Sequence, residues 1–159
     1  MLIILARHAD RETRHEQTDA VQVLTAKGLE QAVHLGQALS RKLHMQGRAV
    51  SLVLTSPYQR TIQTAQLLAQ ELGLPPESVQ ILDALAPDME GSVEVAMQVV
   101  TGLDPAGVIV VGHGPDLAAM AQQLCGQGIE LKKAHSMGVD KNLETGESRL
   151  LWLVSHHDY

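Results

Sequence analysis

The stretch GVIVVGHGPDLAAMAQQLCG, residues 107–126, changes its hydrophobic period halfway along. Val108 to Val111 form an unbroken β-branched run, the pattern of a buried strand. From Leu117 onward the apolar residues Leu117, Met120, Ala121 and Leu124 recur at helical spacing. The join is GHGPD, with His113 directly ahead of the helix. Strand, short loop and helix make one β-α unit.

Working outward, the same unit recurs. LIILA (2–6) reads as a buried strand that runs into RHAD without a turn residue. LTAKGLEQAVHLGQALSRKLHMQG (24–47) then predicts a helix with Thr25 as N-cap and Gly47 just past its end. Its expected inner stripe is Leu29, Ala32, Val33, Gly36, Leu39 and Leu43. SLVLT (51–55) is a second strand. SPYQRTIQTAQLLAQELG (56–73) predicts a helix with Ser56 as N-cap and Pro57 at its first position. Ile62, Ala65, Leu68, Ala69 and Leu72 face inward, and Gly73 with Pro75–Pro76 ends it. A short strand at 79–82, the loop ALAPDMEG (84–91) and a helix from Val93 to Gly102 follow, the helix turning Ala96, Val99, Val100 and Leu103 inward. Two weaker strands near 135–140 and 148–155 flank the turn NLETGE, an expected antiparallel edge hairpin. The alternation predicts an α/β fold, a three-layer α/β/α sandwich on a mostly parallel sheet. With no repeat, linker or low-complexity tract, residues 1–159 are expected to form a single domain.

Composition narrows the function. Of 159 residues 45% are apolar, yet there is no Phe, one Trp and two Tyr, so the core is aliphatic. A net charge of −6 weighs against a nucleic-acid partner. No apolar run is long enough to span a membrane, and the N-terminal run is followed by charges rather than a cleavage site. A cytoplasmic protein is expected. The lone cysteine, Cys125, excludes an internal disulfide and any multi-cysteine metal site, and reads as a core residue of the fourth helix.

In an open α/β sheet, ligands bind beyond the carboxyl ends of the parallel strands. Three loops leave such ends, and they deliver Arg7 and His8, then Arg60, then His113. Arg60 falls in the first turn of its helix and His113 just before one. A cation there is disfavoured by about 0.3–1 kcal/mol. An anion between the cations and the helix ends removes the conflict, and phosphate fits. There is no GxxxxGK[ST] loop, Cys125 lies far from this rim, and no dense carboxylate cluster could hold two metals. Imidazole remains as the nucleophile. Neutral His8 would attack phosphorus in line, while Arg7, Arg60 and protonated His113 stabilise the equatorial oxygens. No cofactor or metal is expected.

These residues match a family. LARHAD resembles the Arg-His-Gly signature of the histidine phosphatase (phosphoglycerate mutase-like) superfamily. LTAKGLEQAVHLGQAL, LTSPYQRTIQTAQLL and VIVVGHGPDL resemble its next three blocks, in the same order, over nearly the whole chain. The short length is most similar to the SixA-type phosphohistidine phosphatases. The resemblance implies His8 as nucleophile and Arg7, Arg60 and His113 as phosphoryl ligands. The third signature residue is Ala9 rather than Gly. No carboxylic acid matches a donor motif: Asp88 and Glu90 are the candidates, with Asp10 and Asp116 further off. A missing donor fits a phosphoramidate such as a phosphohistidine-bearing protein, because imidazole leaves more readily than an alkoxide.

Other residues carry weaker readings. Ser56 could touch His8 or phosphate beyond its capping role, and Arg11, with Arg14 and His15, could line the rim. Thr64 is expected to pack within its helix. His34 and His44 read as surface residues, His156–His157 as a tail, and His135 has no assigned role. The alternatives are a phosphomonoesterase for a small metabolite using the same site, a non-catalytic phosphate- or phosphoprotein-binding module, and a metallohydrolase built on His8 and His113.

Overall fold

The computed structural model describes residues 1–87, 89–103 and 106–155. Strands β1 (Leu2–Arg7), β2 (Leu52–Thr55), β3 (Val79–Ile81), β4 (Gly107–Gly112), β5 (Ser136–Lys141) and β6 (Ser148–Val154) form one sheet in the order β3-β2-β4-β1-β5-β6. β3, β2, β4 and β1 are parallel, and β5 and β6 add an antiparallel edge. The expected α/β/α architecture and its edge hairpin are therefore observed.

Strand alternation explains the layers, since successive side chains point to opposite faces. Leu2, Ile4 and Ala6 enter one core with Val53, Ile109 and Val111. Ile3 and Leu5 enter the other with Leu54, Val108 and Val110. Helices α1 (Ala26–Gln46) and α2 (Gln59–Glu71) cover the first face through Leu35, Leu39, Ala65 and Leu68. Helices α3 (Ser92–Thr101) and α4 (Gly114–Cys125) cover the second through Val100, Leu117 and Met120. Each central strand is buried on both sides, which is why these segments read as continuous apolar runs.

The α1 caps are as expected: the Thr25 side chain accepts from Gly28 N, and Gly47 sits at φ 61°. Its buried stripe is rotated, however. Leu35 and Ala38 are buried, while Leu29 is 41% exposed. The rotation follows from the first turn, where Gly28 rather than Leu29 faces the protein. A β-carbon on Gly28 would lie 2.0 Å from the Asp10 carbonyl oxygen. That neighbour is backbone and cannot swing aside. Gly28→Ala is therefore expected to lower unfolding stability by about 2–3 kcal/mol, read from urea denaturation, because it forces apart α1 and the loop leaving β1.

The start of α2 also differs from expectation. The helix begins at Gln59 with Tyr58 in the cap position, and Ser56 Oγ accepts a hydrogen bond from Tyr58 N at 3.2 Å. Ser56 stabilises the turn before the helix, and its hydroxyl is committed elsewhere, as described below. Cys125 ends α4 half-buried, its thiol donating to Ala121 O. No described helix is long and apolar enough to cross a membrane.

Candidate active site

Sheet register draws the three loops together. Arg7 stands opposite Gly112 on β4, and His8 N donates to Gly112 O at 3.2 Å. Ser56 N donates to Val111 O, so the β2 loop closes on the same strand end. On the other side Ala134 N donates to the carbonyls of both Arg7 and His8. The next residue is held as firmly: Ala9 N donates to Thr64 Oγ1, which donates in turn to Arg60 O. Thr64 thus fastens the histidine loop to α2. The Ala9 methyl, fully buried, packs with Leu24, Ala32 and Ala134, so a side chain is accommodated where the family signature has glycine.

His8 is 3% exposed, and its Nδ1 lies 2.8 Å from Ala9 O. Only an Nδ1–H can make that bond, which leaves the Nε2 lone pair available. Burial pushes the imidazole pKa down to about 3, and Arg60, His113 and Arg7 push the same way against the Ala9 hydrogen bond. A neutral ring with a fixed tautomer is what an attack on phosphorus needs. The His113 ring centroid lies 5.4 Å away, and His113 Nε2 shares a 2.9 Å hydrogen bond with Ser56 Oγ. Burial, then Arg60, hold His113 down to about 4, with Asp19 opposing. In the free protein the neutral form of His113 is favoured, and the expected imidazolium belongs to the phosphoryl-bound state. A bound anion beside the ring would favour its protonated form.

Two guanidiniums complete the floor. Arg7 Nη1 donates to Leu131 O at 3.0 Å, and Arg60 donates to Asp19 through both Nη atoms. The Nε of each is buried with no hydrogen-bond partner among the described residues. Leaving a buried cationic donor unbonded costs more than about 1–3 kcal/mol, and two such guanidiniums side by side suit an anion. The N-terminus of α4 closes over Arg7, where a β-carbon on Gly114 would lie 3.3 Å from the guanidinium carbon.

Arg7, His8, Arg60 and His113 line one cavity of about 240 Å³ with Arg11, Thr13, Asp19, Pro87, Gly114, Pro115 and Lys133. Arg11 is thus at the site. Ser56 lies behind His113 rather than in the lining, and Glu90 is exposed outside it. Asp88 and His156–His157 lie outside the described residues. Arg14 pairs with Glu12. Asp10 holds the loop, accepting from the Thr25 hydroxyl and from Lys133. Larger hollows, of about 640 Å³ beside the β5–β6 turn and about 560 Å³ beside α2, contain no histidine. No grouping of three or more His, Cys, Asp or Glu side chains suited to a metal occurs among the described residues.

Asp19 escaped the sequence reading. It sits on a short 3₁₀ turn, Asp19–Val21, in a loop with no periodicity. Its carboxylate meets Arg60 and Arg11, and those cations hold its pKa below the ordinary carboxylate range against the opposing effect of burial.

A buried imidazole between two arginines at the strand ends of this fold is a site suited to an oxyanion. The chain belongs to the histidine phosphatase superfamily, whose branch 1 model matches residues 3–91. It is 29% identical over 126 residues to the phosphohistidine phosphatase SixA of Escherichia coli K12, covering 79% of this chain and 74% of that one. It is 34% identical over 149 residues to an uncharacterized protein of Picosynechococcus sp. PCC 7002, covering 89% and 82%. A solved structure of the protein histidine phosphatase SixA complexed with tungstate superposes with a TM-score of 0.81 at 26% identity, over 98% of this chain and 97% of that one. The chain is a hydrolase, a phosphatase of the histidine type.

Proposed function

We propose that this chain is a metal-independent phosphatase that works through a covalent phosphohistidine on His8 and that its substrate is a phosphohistidine-bearing protein. The observation that carries the mechanism is the His8 Nδ1–H bond to Ala9 O, which leaves the Nε2 lone pair free in a cavity lined by Arg7 and Arg60. His8 Nε2 attacks phosphorus while the Arg7 and Arg60 forks hold the equatorial oxygens. His113 and Ser56 Oγ share one proton beside them, and phosphoryl charge favours the imidazolium. Water then hydrolyses the phosphoenzyme.

The substrate reading rests on the carboxylates. Among the described residues the carboxylate lining the cavity is Asp19, and it is held ionised by Arg60 and Arg11. An ionised carboxylate cannot give a proton to a departing alkoxide, a loss of about 10²-fold or more for an alkyl ester. Imidazole needs no such help. The similarity to SixA supports the same substrate class. The reading has the protein act as one domain in the cytoplasm.

A substrate panel tests it. A phosphohistidine protein and an activated aryl phosphate are expected to turn over, with phosphoserine and sugar phosphates slower by about 10²-fold or more. EDTA is expected to leave all rates unchanged. Turnover confined to alkyl esters would overturn the substrate reading, and loss of activity on chelation would overturn metal independence.

A further inference from the structure

Among the described lining residues, Asp19 is the one that phosphate binding leaves unexplained, because a carboxylate has the wrong sign for an oxyanion site. Its side chain is 53% exposed at the mouth, whereas the His8 ring lies buried at the floor. Asp19 pairs with both Nη atoms of Arg60, at 3.1 and 3.2 Å, and both residues line the cavity. A phosphoryl group held by Arg60 and the Asp19 carboxylate would be neighbours on one planar cation. In-line attack from His8 also requires the leaving group to point away from the floor, toward the mouth. The carboxylate therefore stands where the leaving group departs.

We propose that Asp19 accepts a hydrogen bond from the distal ring N–H of a phosphorylated imidazole and holds that ring in its cationic, cleavable form. This deepens the phosphohistidine reading above and rests on it. The step balances without a proton donor. The His8 Nε2 lone pair forms the new P–N bond as the substrate P–N bond breaks. The electron pair of the broken bond returns to the substrate ring nitrogen. The distal proton stays on the ring, which leaves as neutral imidazole. An ionised carboxylate, useless as an acid for an alkoxide, is the right partner for a ring cation. The charges facing Asp19 are Arg60 from α2, Arg11 from the loop after β1 and His113 at the start of α4, with Arg7 and Lys133 on the same cavity. Among the described lining residues Asp19 is the carboxylate, set among Arg7, Arg11, Arg60 and Lys133.

The test compares phosphoimidazole with p-nitrophenyl phosphate, whose phenolate departs without a proton, in wild type and Asp19→Asn. A carboxylate this close raises the pKa of a cationic ring by about one unit or more. Asp19→Asn is expected to slow both substrates by loosening Arg60. Above pH 7, however, the ratio of kcat/KM for phosphoimidazole to that for the aryl ester should fall about tenfold further. The alkaline limb for phosphoimidazole should move to lower pH by about one unit, and the ratio should recover in acid, where the ring is protonated unaided. Equal losses on both substrates at every pH would reduce Asp19 to a positioner of Arg60 and overturn the proposal. A wild type that cleaves the aryl ester but not phosphoimidazole would overturn the substrate reading itself, and the proposal with it.

Discussion

His8→Ala is expected to lower turnover of every substrate by about 10⁴-fold or more, while inorganic phosphate still binds. The two consequences separate because the nucleophile and the anion cradle are built from different atoms. Arg7 is anchored by Leu131 O, and Arg60 by Asp19, so neither depends on the imidazole for its position. The His8 backbone is fixed by Gly112 and Ala134, and the loop would keep its path without the ring. Calorimetry should therefore find phosphate affinity changed by only a few fold, with the acid-labile phosphoenzyme of the wild type absent in a rapid-quench experiment. Unchanged hydrolysis in His8→Ala would sink the covalent mechanism. Abolished phosphate binding would show that the cradle is organised through His8 rather than beside it.

The part of the site legible in sequence is the part that the parallel strands carry. Arg7, Arg60 and His113 each follow a buried run by a few residues, and the sheet register then brings them to one rim. The hydrophobic period alone establishes which ends those are. What was not legible depends on side chains that meet across loops. Asp19 precedes Arg60 by 41 residues in a segment without periodicity, and nothing in the local pattern says which acid an arginine will choose. Ser56 shows a subtler failure. Ser-Pro ahead of a helical pattern reads as an N-cap, yet the helix starts later and the hydroxyl serves Tyr58 N and His113 Nε2 instead. Leu29 failed for a related reason: periodicity marks an apolar stripe, but the close approach of Gly28 to Asp10 sets its rotation. The lowered pKa of His113 was not legible either, since burial beside two arginines is a property of the assembled cavity.

That burial has a measurable consequence for stability. His8 and His113 have folded pKa values near 3 and 4, against about 6.5 in the unfolded chain. Between those limits the unfolded state binds more protons than the folded one. Stability is then fully present above about pH 6.5 and falls as the pH drops toward the folded values. Each group contributes up to about 1.4 kcal/mol per pH unit. Taking the ligand-free protein from pH 7 to pH 4.5 is expected to remove about 5 kcal/mol, read as a lower urea midpoint at unchanged slope. Asp10, Asp19 and Asp140 have lowered folded values as well, but their stability is lost only below the ordinary carboxylate range, so they act at a more acid pH. The double variant His8→Asn, His113→Asn should flatten the dependence between pH 7 and 4.5. Inorganic phosphate should flatten it in the wild type, because an anion between the rings favours their protonated forms and binds the folded state alone. A wild-type midpoint that stays level across this range would mean that both rings protonate in place, and that the neutral nucleophile has been assigned to the wrong charge state.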